Sequence, residues 1–266
     1  MSNRLKGKIA IVVGAGQTPG DTIGNGRATA VLFAREGARV LLVDRRIESA
    51  EETKSIIDAE GGESSVVEAD ITRTDDCRKI AETCVDTYGG IDILVHVVGV
   101  GGESGGRLGT TEKQWDRIHD INLRAMFLTC QQVLPVMEAQ ESGAVITISS
   151  AAAVCDTNML AYKTSKAGVN ALTHYLAMRY AKKGIRANVI MPGLMKTPMA
   201  IEGISTRLGI SKEELIENRD NMVPLKGGMG DGWDTAHAAL FLASDEAKFI
   251  TAVVLPVDGG QSARIG

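Results

Sequence analysis

Tyr162 and Lys166, in "YKTSK", stand four apart. In a helix they share one face, about a turn from each other. An ammonium beside a phenol favours the phenolate and lowers a pKa that is ordinarily about 10. A tyrosine so placed can exchange a proton with an alcohol or ketone near neutral pH. The Y-x-x-x-K pattern alone is common, and a solvated tyrosine with an unrelated lysine produces it too. Two further features add weight. "ITISS" ends an apolar run with Ser149 and Ser150, and "INLRAMF" sets Asn122 inside a long helical pattern.

A second constellation lies near the start, in "VVGAGQTPGDTIGNGRATA". Where a strand turns into a helix that faces a pyrophosphate, side chains would block the approach of the anion to the helix N–H groups, so glycines are needed. "GDTIGNG" supplies Gly20, Gly24 and Gly26, and an Ala-rich amphipathic pattern follows. The apolar run stops at Gly14, so the turn is about six residues longer than the tight form; either Gly14 or Gly20 plays the first glycine. Asp44 ends the next apolar run, 18 residues past Gly26, where an acidic residue accepts hydrogen bonds from the adenosine ribose. A carboxylate there repels a 2′-phosphate, which favours NAD over NADP. Arg45 and Arg46 are what a phosphate reader would use, or two solvated arginines opening a helix.

The elements that must position these residues alternate. Short Val- and Ile-rich runs occur at "KIAIVV", "ARVLLV", "SSVVEA", "IDILVHVV", "AVITIS", "IRANVIM" and "AVVLPV", as in parallel strands buried on both faces. Helical patterns fall between them at about 25–36, 47–60, 74–88, 111–138, 160–183 and 232–243. This predicts an α/β, Rossmann-type doubly wound parallel sheet of about seven strands with helices on both faces, one domain over 1–266. The stretch 192–230, with one short helical pattern in "SKEELIENRD", reads as a substrate-facing lid insertion.

Composition narrows the partners. The 266 residues carry 44% hydrophobic residues and a net charge of −4, with no basic stripe for nucleic acid. No apolar run is long enough to span a membrane, and "IAIVV" is too short for a signal-peptide core. The four cysteines show neither C-x-x-C pairs nor a zinc-like spacing with the histidines. A cytoplasmic location and no metal are expected.

From "KGKIAIVVGAG" to "PVDGGQS" the chain resembles the short-chain dehydrogenase/reductase family in its common form of roughly 250 residues. The resemblance implies that Ser150 hydrogen-bonds the substrate oxygen and that Tyr162 is the general acid/base. Lys166 would hold the nicotinamide ribose and depress the tyrosine pKa, and Asn122 would support a water and proton relay to it. Asp70 and Ile71, in "EADIT", match the residues beside the adenine. In "MPGLMKT", Pro192, Gly193 and Thr197 match the segment that meets the nicotinamide. A homotetramer is implied as well.

Departures are equally plain. Where the family usually reads Asn-Asn-Ala-Gly, this chain reads His96-Val97-Val98-Gly99. Gly99 still permits close backbone approach, and His96 reads as a substitute structural polar residue. Ser150 precedes Tyr162 by 12 positions, one fewer than the family pattern, and Ser149 is the weaker candidate. Cys155, Met159, Met195 and Met199 are candidate substrate contacts, or ordinary buried thiol and gap fillers. Glycine hinges in "VGGESGGRLG" would let that loop gate the site, or it is a solvated connector.

The expected activity is NAD-dependent hydride transfer between nicotinamide and a small-molecule secondary alcohol or ketone. The alternatives are an NADP-dependent ketone or 3-oxoacyl reductase and a non-catalytic dinucleotide-sensing protein. Reductases of carbon–carbon double bonds on this fold place their tyrosine seven before the lysine, and here Met159 occupies that position.

Overall fold

The computed structural model describes residues 3–101 and 108–264. Seven parallel strands form one sheet: β1 (Ile9–Val13), β2 (Arg39–Asp44), β3 (Glu63–Glu68), β4 (Ile93–His96), β5 (Gly143–Ile148), β6 (Ile185–Pro192) and, after two short strands, β9 (Val254–Val257). The order is β3-β2-β1-β4-β5-β6-β9, a Rossmann-like α/β fold. β1 is buried along its whole length, because its alternate side chains enter two cores. Ile9, Ile11 and Val13 join one cluster and Ala10 and Val12 the other. That is why the strand reads as a continuous apolar run rather than an alternating one.

The helices match the periodic stretches closely. α1 (Asn25–Arg35), α2 (Ile47–Ala59), α3 (Thr74–Tyr88), α6 (Leu160–Tyr180) and α9 (Gly232–Ala243) lie between the strands. The long pattern near 111–138 forms α4 (Glu112–His119) and α5 (Ala125–Gln140), joined through a π turn at Asp120–Arg124. Thr111 starts α4 with a reciprocal capping box to Gln114, which satisfies two otherwise orphaned N–H groups. Among the described residues no helix is long and apolar enough to cross a membrane.

The 192–230 stretch holds more order than one short helix. "SKEELIENRD" contains α8 (Lys212–Asp220), but α7 (Pro198–Leu208) precedes it, and β7 (Met195–Lys196) pairs with β8 (Gly230–Asp231). α7 has weak intrinsic signals, with Gly203, Ser205 and Thr206 in its interior. Pro198 at its first turn and a small cluster of Ile201, Leu215 and Met229 stabilise it.

The register places Val43, Val13, His96 and Thr147 in one row across four strands. β1 lies between β2 and β4, so the chain order reverses beside it. The crevice outside the carboxyl ends of β1 and β4 is the switch point where open α/β sheets take ligands.

Candidate active site

The glycine turn is tight despite its length. Gly14 follows β1 at φ 85° and donates its N–H to Val43 O at 2.8 Å. Gly26 crosses it so closely that a Cβ built there would lie 1.8 Å from the Gly14 carbonyl oxygen. Gly24 caps α1 without any side-chain hydrogen bond, and the first turn carries no acidic residue. The helix therefore presents its first N–H groups and positive dipole end to the cleft, as an anion requires.

Gln17 pinches off the extra residues. Its Oε1 accepts from Gly24 N at 2.9 Å and its Nε2 donates to Thr22 O at 3.3 Å. Gly14 therefore lies at the cleft, directly beside the crossing with Gly26. The alternative, Gly20, lies on the looped-out part, against the 192–230 stretch, where a Cβ would come 2.9 Å from Glu202 Cγ and 3.0 Å from Pro198 Cβ. Asp21 beside it pairs with Lys212 at 3.4 Å.

Two residues escaped the sequence reading. Gly16 donates to Asp44 Oδ2 at 3.0 Å, and a Cβ there would crowd Asp44 Oδ2 and Ser49 Oγ. Gln17 is the other. The "GAG" run at 14–16 was a visible signal for the first; nothing local marks the second.

A cleft of about 610 Å³ opens over this turn. Asp44 stands on its wall and accepts Arg46 N at Oδ1 (3.0 Å) besides Gly16 N at Oδ2. Each carboxylate oxygen keeps a lone pair for a ribose hydroxyl. Arg45 and Arg46 also line the cleft, and the Arg46 guanidinium donates to Gln17 O. Asp70 and Ile71 form another part of the wall. Asp70 accepts both the N–H and the hydroxyl of Thr72, and the hydroxyl bond chiefly holds its carboxyl below the usual range. Thr197, buried at the start of α7, and the half-exposed Met199 close the far side.

Gly99 joins this cleft to the tyrosine. It lines the wall, and a Cβ built on it would lie 2.7 Å from Lys166 Nζ. Lys166 is buried and donates to Ile148 O at 2.9 Å. Burial pushes its pKa down to about 8. Tyr162 sits one turn away, its ring centroid 5.9 Å from Lys166 Nζ. Burial raises the phenol pKa, and a hydrogen bond with Ser150 opposes the rise. The expected depression by Lys166 is therefore not the dominant influence in this geometry, because the ammonium is turned to the Ile148 carbonyl.

Strand alternation separates the two serines. Ser149 is buried and donates to Lys166 O at 3.0 Å, whereas Ser150 accepts Ala152 N at 3.2 Å and is the group that opposes the rise of the Tyr162 pKa. Asn122, in the π turn, clamps the cleft wall. Its Oδ1 accepts Val100 N at 2.8 Å, and its Nδ2 donates to Val100 O and Ser165 Oγ, both at 3.1 Å. His96 is buried near Lys166 with no protein partner for Nε2 among the described residues. Burial, reinforced by the lysine charge, drives its pKa down to about 3, so it is neutral.

Other candidates stand apart from the cleft. Pro192 ends β6, and Gly193 serves packing: a Cβ there would meet Gln261 Oε1 at 2.2 Å and Asp258 Cβ at 2.7 Å. Met195 is buried in the β7–β8 pair with its sulfur against Gly230. Cys155 and Met159 lie half-buried on the chain between Ser150 and Tyr162. Residues 102–107 of the glycine-rich connector lie outside the described residues.

Known proteins bear on this geometry. A family model described as "Enoyl-(Acyl carrier protein) reductase" matches residues 21–262. The chain is 32% identical over 266 residues, covering 100% of both, to the 2,5-dichloro-2,5-cyclohexadiene-1,4-diol dehydrogenase LinX of Sphingobium indicum. A solved structure from Burkholderia xenovorans is 42% identical, with a TM-score of 0.93 and 99% of each chain covered. Carveol dehydrogenase from Mycobacterium avium, solved in complex with NAD, is 26% identical with a TM-score of 0.92, covering 98% of this chain and 99% of that one.

Proposed function

The chain belongs to the short-chain dehydrogenase/reductase family, and from that premise we propose that it is an NAD-dependent dehydrogenase of secondary alcohols, reversible as a ketone reductase. It is an oxidoreductase acting on alcohol or ketone substrates. The observation that carries the finer reading is Tyr162 with its ring centroid 5.9 Å from the buried Lys166 ammonium, one glycine away from the cleft.

The residues present fit a dinucleotide. Gly14, Gly24 and Gly26, with the uncapped start of α1, would hold the pyrophosphate, and Asp44 the adenosine ribose. Asp70 and Ile71 would flank the adenine; Gly99, Lys166 and Thr197 would hold the nicotinamide half. NAD, when bound, supplies the hydride acceptor for oxidation and the donor for reduction. Support for NAD comes from the carboxylate of Asp44 and from the NAD in the carveol dehydrogenase structure.

In oxidation, Ser150 Oγ hydrogen-bonds the substrate hydroxyl and Tyr162 Oη takes its proton. In reduction, Tyr162 returns that proton to the oxygen. The Ser150 bond favours the phenolate against burial, and Lys166 supplies positive charge one turn away. Asn122 fixes the 97–100 wall and supports proton exchange with Lys166. Met159, half-buried ahead of α6, stands where a double-bond reductase would need its tyrosine, which favours carbinol chemistry despite the description of the matching family model.

Met159, Cys155 and Met199 give the substrate side an apolar character, and the 192–230 stretch closes over it. An apolar cyclic alcohol suits this, in keeping with the cyclohexadienediol named for one relative. NADP is the second reading, favoured by Arg45 on the cleft wall. The assembly is proposed as a homotetramer, and the four free thiols suit the cytoplasm. Tyr162→Phe tests the mechanism. Turnover should vanish while NAD affinity, measured by titration calorimetry, stays within a few fold; unchanged turnover would remove Tyr162 from the chemistry.

A further inference from the structure

We propose that Lys163, directly after the acid/base tyrosine, is a positioning residue: its ammonium holds the turn that carries Ser150 in place against Tyr162. This rests on the roles given above to Tyr162 and Ser150. Between those two residues the chain makes one 3-10 turn, Ala151–Ala153, and then runs to the start of α6. Core packing holds little of it. Ala153 is buried, but Val154 is 58% exposed, and Asp156 and Asn158 face solvent.

Lys163 ties this turn to the helix. Its Nζ donates to Cys155 O at 2.5 Å and to Ala152 O at 3.3 Å. A lysine at a surface ordinarily keeps its ammonium in water; here it is half-buried and directed at two main-chain carbonyls. Ala152 is thereby held at both ends, since its N–H donates to Ser150 Oγ. The connections run in series: Lys163, the chain neighbour of Tyr162, holds Ala152, and Ala152 holds Ser150. A hydroxyl has one donor and two acceptor sites. With one acceptor site taken by Ala152, two sites of Ser150 are left for the phenol and a substrate oxygen. The ammonium acts on the reaction only through that serine.

The variant Lys163→Met keeps the aliphatic stem and removes the donors. It should lower kcat for alcohol oxidation by roughly ten- to a hundredfold, as a displacement of about 1 Å would, with the Kd for NAD within about twofold. It should also move the Tyr162 titration to higher pH, because the Ser150 bond is what lowers that pKa. Lys163→Arg, which keeps the cation and its donors, should restore part of both. The titration is read by ultraviolet absorbance of the phenolate, with Tyr162→Phe subtracted, and needs no substrate. A wild-type chain that turns over no alcohol would therefore sink the dehydrogenase reading while the titration still decides on Lys163. A folded Lys163→Met with wild-type kcat and an unmoved Tyr162 titration would overturn the assignment. Should Lys163→Met fail to fold, Lys163→Leu, which also lacks donors, takes its place under the same two readouts.

Discussion

Lys166 is charged at neutral pH inside a buried site, and its proton is the most sensitive reporter of that burial. Its folded pKa of about 8 lies below the ordinary 10.5, so between those values the unfolded chain binds more protons than the folded one. Stability therefore rises with pH across that window, by up to roughly 1.4 kcal/mol per pH unit. The difference in urea midpoint between wild type and Lys166→Met, measured from pH 7 to 10, should grow in favour of the wild type; a constant difference would mean that Lys166 is solvated. Tyr162 and Lys166 were legible because helical spacing is local. The orientation of the ammonium toward Ile148 O was not, nor its proximity to the neutral His96, because β4, β5 and α6 are distant in sequence. Ser150 was separable from Ser149 only once the end of β5 was fixed, since neighbouring strand residues face opposite sides.

At the scale of elements, the crossing of Gly14 and Gly26 sets the start of α1, and α1 packs along α9. Gly26→Ala would drive a methyl onto the Gly14 carbonyl, so α1 must shift. We expect a loss of about 2 kcal/mol or more with weakened NAD binding. Gly203→Ala is the contrast: nothing lies within 4 Å of a Cβ there, in the interior of α7. It should gain about 0.5–1 kcal/mol from helix propensity. Chemical denaturation of both variants checks the pair, and equal effects would refute the packing account of the turn. The sequence displayed the length of the glycine loop plainly. What it concealed was the Gln17 neck and the seating of Gly20 and Asp21 on the 192–230 stretch, since both depend on residues brought together by the fold. α7 was hidden for a related reason: its stability comes from Ile201 packing against Leu215 and Met229 rather than from its own propensity.

At the scale of the whole molecule, the sheet was readable because parallel strands buried on both faces leave continuous Val and Ile runs, and chain-order reversal beside β1 then fixes where a ligand enters. Asp44, Asp70 and Gly99 fell on that crevice as their places after strands require. Substrate shape was not readable, because the residues proposed to form its wall belong to the 100–108, 151–160 and 194–225 connections, whose side chains follow no period. The central claim is hydride transfer to NAD from an apolar secondary alcohol, and initial rates of nicotinamide reduction test it most directly. Purified protein would be given NAD or NADP with a panel of cyclic secondary alcohols, and absorbance of the reduced cofactor followed. The account predicts reduction of NAD, faster than of NADP, with at least one cyclic alcohol. Strict use of NADP would contradict the role of Asp44, and silence with both cofactors, together with no NAD uptake in a binding titration, would contradict the account as a whole.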